Sequence, residues 1–225
     1  MDNASNIKTS KKVLVLYSGG RDSSATAVEL SKEGYQVKLF TYQAGLPELT
    51  GQFGSSAPEI RLKELLEVFP KNIDQHRVIE GNIYLIRKLA IEKTNSEHIV
   101  YPIALALAVH CGAIKYCLEN NIKTIASGYS GYQAKMDRYI EQREDFVNLT
   151  KDFLNEYNIS YKLPVIEKSK EEIMDILERY GISSNSLENK SIFGGIQFDV
   201  VYAHHFWESS IPICREYLKK IKRVS

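Results

Sequence analysis

Seven residues near the amino terminus, Ser18-Gly19-Gly20-Arg21-Asp22-Ser23-Ser24, combine the groups that hold a phosphate. They follow Val13-Leu14-Val15-Leu16-Tyr17, a continuous apolar run of the kind buried on both faces of a sheet. Gly19 and Gly20 let the backbone turn sharply and approach an anion with no Cβ in the way. From Ser23 the pattern turns helical, so free N–H groups and the positive end of the helix dipole aim at the same place. Ser18, Ser23 and Ser24 add hydroxyl donors, and Asp22 adds a carboxylate beside them. The spacing is neither G-x-x-x-x-G-K-[ST] nor G-x-G-x-x-G. A serine-capped tight turn needs one glycine; this loop has two, with an acid and three hydroxyls.

A second glycine loop, Ser127-Gly128-Tyr129-Ser130-Gly131-Tyr132, follows a later strand-like segment. Beyond it lie Asp137, Arg138, Glu141 and Arg143, polar groups able to read an acidic substrate. The same four also suit an exposed helix start with i,i+4 pairing. In open α/β sheets ligands sit beyond the carboxyl ends of the strands, where both loops emerge. Lys170 stands in the first turn of a helix, an electrostatically poor place for a cation unless it meets an anion. His204-His205-Phe206-Trp207 reads as a half-buried aromatic cluster that packs the tail on the domain.

The elements that position these groups alternate. Helix 23–33 ends at Gly34, in the position that favours a left-handed residue. Strands are expected at 36–42, 75–79, 122–126 and 160–164, with helices at 59–69, 82–93, 101–120, 139–157 and 170–180. Ser169 and Glu172 form a capping box for the last of these. The alternation predicts an α/β fold, a doubly wound parallel sheet. A strand at 196–202 and a basic-ended helix at 212–222 are expected after it. The organisation follows: a flexible tail over 1–11, one domain over 12–185, and an extension over 186–225 packed on that domain. The loop 43–57, rich in Gly, Ser and Pro, is long enough to be functional.

Composition sets bounds. With 29 basic against 28 acidic residues the net charge is +1, so no bulk field draws the chain to nucleic acid. Cys111, Cys117 and Cys214 make neither a disulfide framework nor a zinc site and read as buried free thiols. The polar amino terminus has no apolar core of a signal peptide. The longest apolar run, 99–113, is broken by Tyr101-Pro102 and His110, so no membrane span and a cytoplasmic location are expected.

Tyr17-Ser18-Gly19-Gly20-Arg21-Asp22-Ser23 matches the SGGxDS signature of the PP-loop ATP pyrophosphatases, and the chain resembles that family. The resemblance implies an adenine nucleotide α-hydrolase-like (Rossmann-like) fold and a shared reaction. ATP adenylates a carbonyl or carboxylate oxygen, pyrophosphate leaves, and a nitrogen or sulfur nucleophile displaces AMP. The loop, Ser18 to Ser24, would grip the departing pyrophosphate, with Asp22 and Ser23 catalytic. Asp22 would hold Mg²⁺ or brace the loop.

Within the family the chain is similar to the 7-cyano-7-deazaguanine synthases. Phe40-Thr41-Tyr42-Gln43 resembles their F-D-Y-G-Q, Glu59 begins a comparable helix, and Ser127 to Tyr132 resembles G-x-N…S-G-Y-P. Pro164 through Lys170-Glu171-Glu172-Ile173 resembles P-L-x-x-x-S-K-x-E-I. By this resemblance Phe40, Thr41, Tyr42 and Gly128 would contact the nucleotide, Gln43 and Tyr132 the substrate, and Lys170 the phosphates. Two departures stand out. The synthases' four-cysteine zinc site has only Cys214 to match it, and their Pro-x-Arg-Asn is replaced by Val100-Tyr101-Pro102-Ile103-Ala104. No structural zinc is expected, and Arg138 or Arg143 becomes the candidate for the missing arginine.

The expected activity is an ATP- and Mg²⁺-dependent C–N ligase acting on a 7-deazaguanine-type or similar small-molecule acid. The nitrogen nucleophile would be ammonia or an amine, a protein amine included, and a homodimer is compatible. Zinc-less relatives in type IV CBASS anti-phage operons fit the same departures. The alternatives are a tRNA-modifying PP-loop enzyme and a non-catalytic adenine-nucleotide-binding module. The first is disfavoured by the near-zero net charge and the second by the intact Ser18, Asp22, Ser23 and Lys170.

Overall fold

The computed structural model describes residues 11–43, 56–91, 100–135, 137–187 and 199–221. Five strands form one sheet: β1 (Lys12–Leu16), β2 (Gln36–Tyr42), β3 (Val78–Glu80), β4 (Thr124–Ala126) and β5 (Ser160–Lys162). Their order is β3-β2-β1-β4-β5, and every pair is parallel. β1 lies at the centre, with Val15 opposite Leu39 on one side and Ala126 on the other.

The unbroken apolar run of β1 follows from layers on both faces. Val13 and Val15 point into one core with Ala27, Leu30 and Leu177, while Leu14 points into the other with Leu107, Ile114 and Phe153. The first layer is built by α1 (Arg21–Lys32), α2 (Ala57–Val68) and α7 (Lys170–Arg179). The second contains α3 (Ile83–Ile91), α4 (Tyr101–Glu119), α6 (Glu144–Asn155) and α8 (Val200–Ile221). A four-residue helix α5 (Gly131–Ala134) and a 3-10 stretch (Asp137–Gln142) bridge β4 to α6.

Several local expectations hold in detail. Gly34 takes φ +83° after α1, and Ser169 accepts from the Glu172 N–H while Glu172 accepts from the Ser169 N–H at the start of α7. α4 stands where the sequence places it, Tyr101–Glu119 against an expected 101–120; its 19 residues are apolar enough to cross a membrane, but 56% of its most apolar stretch is buried against the chain's own core.

The strand expected at 196–202 is not one where it is described: Val200, Val201 and Tyr202 open α8. The N–H groups of Val201 and Tyr202 donate to Asp199 Oδ1, which caps the helix. The β-branched pair looks extended in isolation, yet Ala203, Phe206, Trp207, Ser210, Ile211, Cys214 and Leu218 are buried at helical spacing. Pro212 sits inside this helix on its exposed side. The carbonyl it leaves unbonded there can meet water, so the helix runs through it. Residues 188–198, including most of the expected strand, and the loop 44–55 lie outside the described residues.

Candidate functional site

The chain leaves β1 at Leu16, and Tyr17 N–H still donates to Phe40 O at 2.8 Å, so the turn begins at Ser18. Gly19 takes φ +78°, and a Cβ there would run into the Ala57–Pro58 backbone at the start of α2. Gly20 is the N-cap of α1 without a side-chain cap, which leaves first-turn N–H groups open to a ligand. Gly20 N–H itself donates to Ser18 Oγ (3.2 Å), and Ser18 Oγ lies 3.3 Å from Ser23 Oγ. The second glycine loop packs directly on the first: a Cβ on Gly128 would stand 2.5 Å from the Ser23 nitrogen.

Between the two loops, at the carboxyl ends of β1 and β4, opens a cavity of about 380 Å³. That volume falls within the range of small-molecule sites. Ser18, Asp22 and Ser23 form one part of its lining, with Phe40, Thr41 and Tyr42 from the end of β2. Pro102, Leu105, Ala106 and Val109 of α4 make an apolar wall, while Gly128, Tyr129, Tyr139 and Glu141 add a polar and aromatic one. The sheet order changes direction between β1 and β4, which is the switch point where open α/β sheets bind ligands.

Asp22 is the end of a directed hydrogen-bond chain. Gln142 accepts from the Ser130 N–H and donates to Gln133 Oε1 at 2.8 Å. Gln133 donates to the Tyr132 hydroxyl (3.3 Å), which donates to both Asp22 oxygens at 3.0 and 3.1 Å. Burial, followed by the Asp22 charge and bond, pushes the Tyr132 phenol up to about 12, so it remains a donor. Gln133 and Gln142 were not legible as site residues, because each acts only through a partner distant in sequence.

A second polar group belongs to the same cavity. His110 is buried in α4, with Nδ1 2.7 Å from Ala106 O and Nε2 3.2 Å from the Tyr161 hydroxyl. A carbonyl only accepts, so Nδ1 carries the proton and Nε2 receives the Tyr161 O–H. Burial pushes this ring down to about 4, leaving it neutral. Tyr129 meets Tyr161 edge-on at 6.3 Å, and burial raises both phenols. Glu141 lines the cavity, half-buried, and burial lifts its carboxyl to about 7. In the sequence His110 registered only as a break in an apolar run.

The expected residues divide. Ser18, Asp22, Ser23, Phe40, Thr41, Tyr42 and Gly128 line the cavity, although the Thr41 hydroxyl is already bonded to Tyr17 O at 2.9 Å. Ser24 does not: it is fully buried and donates to Gly20 O at 2.7 Å, closing the first turn of α1. Arg21 turns away toward α7, with Nη1 3.8 Å from Met174 Sδ. Tyr132 braces Asp22 instead of lining the cavity, and Gln43 is bound through its N–H to Glu80 O outside it. Lys170 is exposed at the start of α7 and absent from the lining.

Arg143 lies apart from the cavity. It caps α6 in a separate surface cleft with Glu144, Asp145 and Asn148, its Nε 3.3 Å from Asp145 Oδ1. His204 Nε2 reaches the same carboxylate at 3.0 Å, a link from α8 that the sequence does not advertise. Asp137 and Arg138 open the 3-10 stretch, and their side chains lie outside the described residues. Phe206 and Trp207 are buried in the second core, as the aromatic cluster predicted, while His205 is exposed.

Residues 12–191 match the family described as "Queuosine biosynthesis protein QueC". Among curated protein sequences there is no match. Solved structures share the fold at low identity. A 4-thiouridine synthetase, solved with RNA and bound ATP, aligns at 13% identity and a TM-score of 0.59, over 94% of this chain and 53% of that one. This chain thus spans about half the length of that enzyme. The U34-tRNA thiolase NcsA from Methanococcus maripaludis, solved with a [4Fe-4S] cluster, aligns at 12% identity with a TM-score of 0.50, over 96% of this chain and 73% of that one. A predicted subunit of a tRNA methyltransferase from Methanocaldococcus jannaschii aligns at 22% identity with a TM-score of 0.45, over 77% and 90%. The family match covers most of the chain, including the glycine loop at the switch point, and the chain belongs to the QueC family.

Proposed function

We propose that the chain is an ATP-using ligase that adenylates the carboxylate of a small planar acid and passes the acyl group to an amine or ammonia. The observation that supports this most is the pairing, in one cavity, of an anion cradle at Ser18, Asp22 and Ser23 with an apolar, aromatic wall. The open N–H groups of the α1 first turn and the two serine hydroxyls would bind the β and γ phosphates. Their charge stabilisation grows as pyrophosphate departs. Phe40, Thr41 and Tyr42 would border the nucleoside, and the α4 wall would take a flat ring.

In the first half-reaction a carboxylate oxygen attacks the α-phosphorus, and the bond to the β-phosphate oxygen breaks. In the second, the amine nitrogen attacks the acyl carbon, AMP leaves with the bonding pair, and the nitrogen loses a proton. A magnesium ion fits the donor set, since it needs one or two carboxylates and otherwise takes phosphate oxygens and water. Asp22 would hold it, and it would neutralise phosphate charge. Lys170 and Arg143 have no part in this reading, because neither lines the cavity.

A screen of acids for AMP and pyrophosphate release tests the reading, with 7-carboxy-7-deazaguanine first and both ammonium and protein amines as acceptors. Acid-dependent AMP and pyrophosphate release is the expected result. Release that ignores every acid would remove the ligase assignment. Acceptance of a protein amine in place of ammonium would identify the partner class.

A further inference from the structure

The cavity contains one acid that the phosphate chemistry does not use. Glu141 lies on the 3-10 stretch between α5 and α6, lines the cavity, and accepts a hydrogen bond from its own backbone. Among the described residues no lysine, arginine or histidine pairs with it. Its neighbours are Tyr129 from the second glycine loop and Tyr161 from β5, with His110 of α4, Gln133 of α5 and Tyr139 sharing the lining or the network. A half-buried carboxylate with no cation beside it among the described side chains is costly unless it takes up a proton or a cationic ligand.

We propose that Glu141 binds the incoming amine as its ammonium form and accepts a proton from it before the nitrogen attacks the acyl adenylate. This rests on the acyl-adenylate reading above. The remaining lining groups do not fit that role. Both nitrogens of His110 are engaged, one donating to Ala106 O and the other accepting from Tyr161. Asp22 accepts the Tyr132 hydroxyl on both oxygens and stands in the phosphate cradle. Tyr17, Tyr42 and Tyr129 are phenols that burial makes still weaker acids. The tyrosine rings in the lining would favour a cation beside the carboxylate. The proton moves from nitrogen to the Glu141 carboxylate, which later returns it to water. The freed nitrogen pair forms the C–N bond, AMP leaves, and the adduct nitrogen gives its surplus proton to water.

Two half-reactions separate the possibilities. The first is exchange of labelled pyrophosphate into ATP with 7-carboxy-7-deazaguanine and no amine. The second is amide formation with ammonium, or with hydroxylamine, which is uncharged near neutrality. In E141Q exchange should stay within about 3-fold of wild type, while transfer to ammonium falls on the order of 10²–10⁴-fold, the usual worth of a positioned base. Hydroxylamine should restore most of the lost rate, and the rising limb of the wild-type pH profile near neutrality should vanish. E141D should retain that limb at reduced rate. If exchange and transfer fall together, if ammonium transfer is unchanged, or if hydroxylamine fails equally, Glu141 is not the proton acceptor. If wild type binds ATP but shows no acid-dependent exchange, the acyl-adenylate reading itself fails, and this proposal with it.

Discussion

At the scale of the residue, the proposed phosphate cradle depends on what stands behind Asp22. Tyr132→Phe removes the hydroxyl that donates to both carboxylate oxygens and leaves Gln133 without its acceptor. A hydrogen bond to a charged group contributes about 1.5–3 kcal/mol, so kcat/KM should fall roughly 10- to 100-fold with the fold intact. Steady-state kinetics beside a thermal melt checks this, and an unchanged kcat/KM would mean that Asp22 needs no brace. Glu141 and His110 make opposite contributions to acid stability. Glu141, raised to about 7, binds more protons folded than unfolded, so its contribution falls as pH rises through 7. His110, lowered to about 4, binds fewer, so its contribution falls as pH drops below its ordinary range toward 4. E141Q should therefore be more stable than wild type at pH 8 in urea melts, with the difference shrinking toward pH 5. A constant difference would contradict the burial of that acid. The sequence exposed Ser18, Asp22 and Ser23 because glycines, hydroxyls and an acid at that spacing have few other uses. Ser24 and Arg143 stand outside the cavity lining, each held by a local partner, Gly20 O and Asp145, that the sequence does not reveal.

At the scale of the element, the site is made by two glycine turns pressed together. Gly128→Ala puts a Cβ 2.5 Å from the Ser23 nitrogen, so one loop must move. Overpacking of this kind costs about 1–3 kcal/mol, and a shift of about 1 Å at a reacting centre costs on the order of 10²-fold in rate. Gly112→Ala on α4 has the Phe40 and Tyr42 rings as its nearest contacts, at 3.3 Å, and should lose far less. Comparing the two variants in turnover separates a loop effect from a general loss of packing; equal losses would contradict the close approach of the loops. Strands β1 and β2 were legible as apolar runs between turn residues. α8 was partly hidden, because Val200-Val201 and Pro212 argue against a helix locally while the buried spacing from Ala203 to Leu218 argues for it.

At the scale of the whole molecule, two cores on opposite faces of the sheet hold the strand ends in place, and α8 completes one of them. Trp207 is buried there edge-on to Phe146 at 5.8 Å, and among the described residues none of α8 lines the cavity. Trp207→Ala should cost about 3–5 kcal/mol and lower Tm by roughly 10 °C in a chain of this size, with kcat retained below the transition. A loss of kcat at low temperature would give α8 a role beyond support. The doubly wound parallel sheet was legible from alternation alone, whereas the polar chain from Ser130 to Asp22 required the assembled fold. In the proposed reaction a carboxylate oxygen attacks the α-phosphorus of ATP. Its most direct test supplies the acid with ¹⁸O in the carboxylate, together with the amine, and measures isotope in the nucleotide product. One ¹⁸O per AMP, with unlabelled pyrophosphate, is the predicted result. ADP as product, or AMP without label, would contradict it.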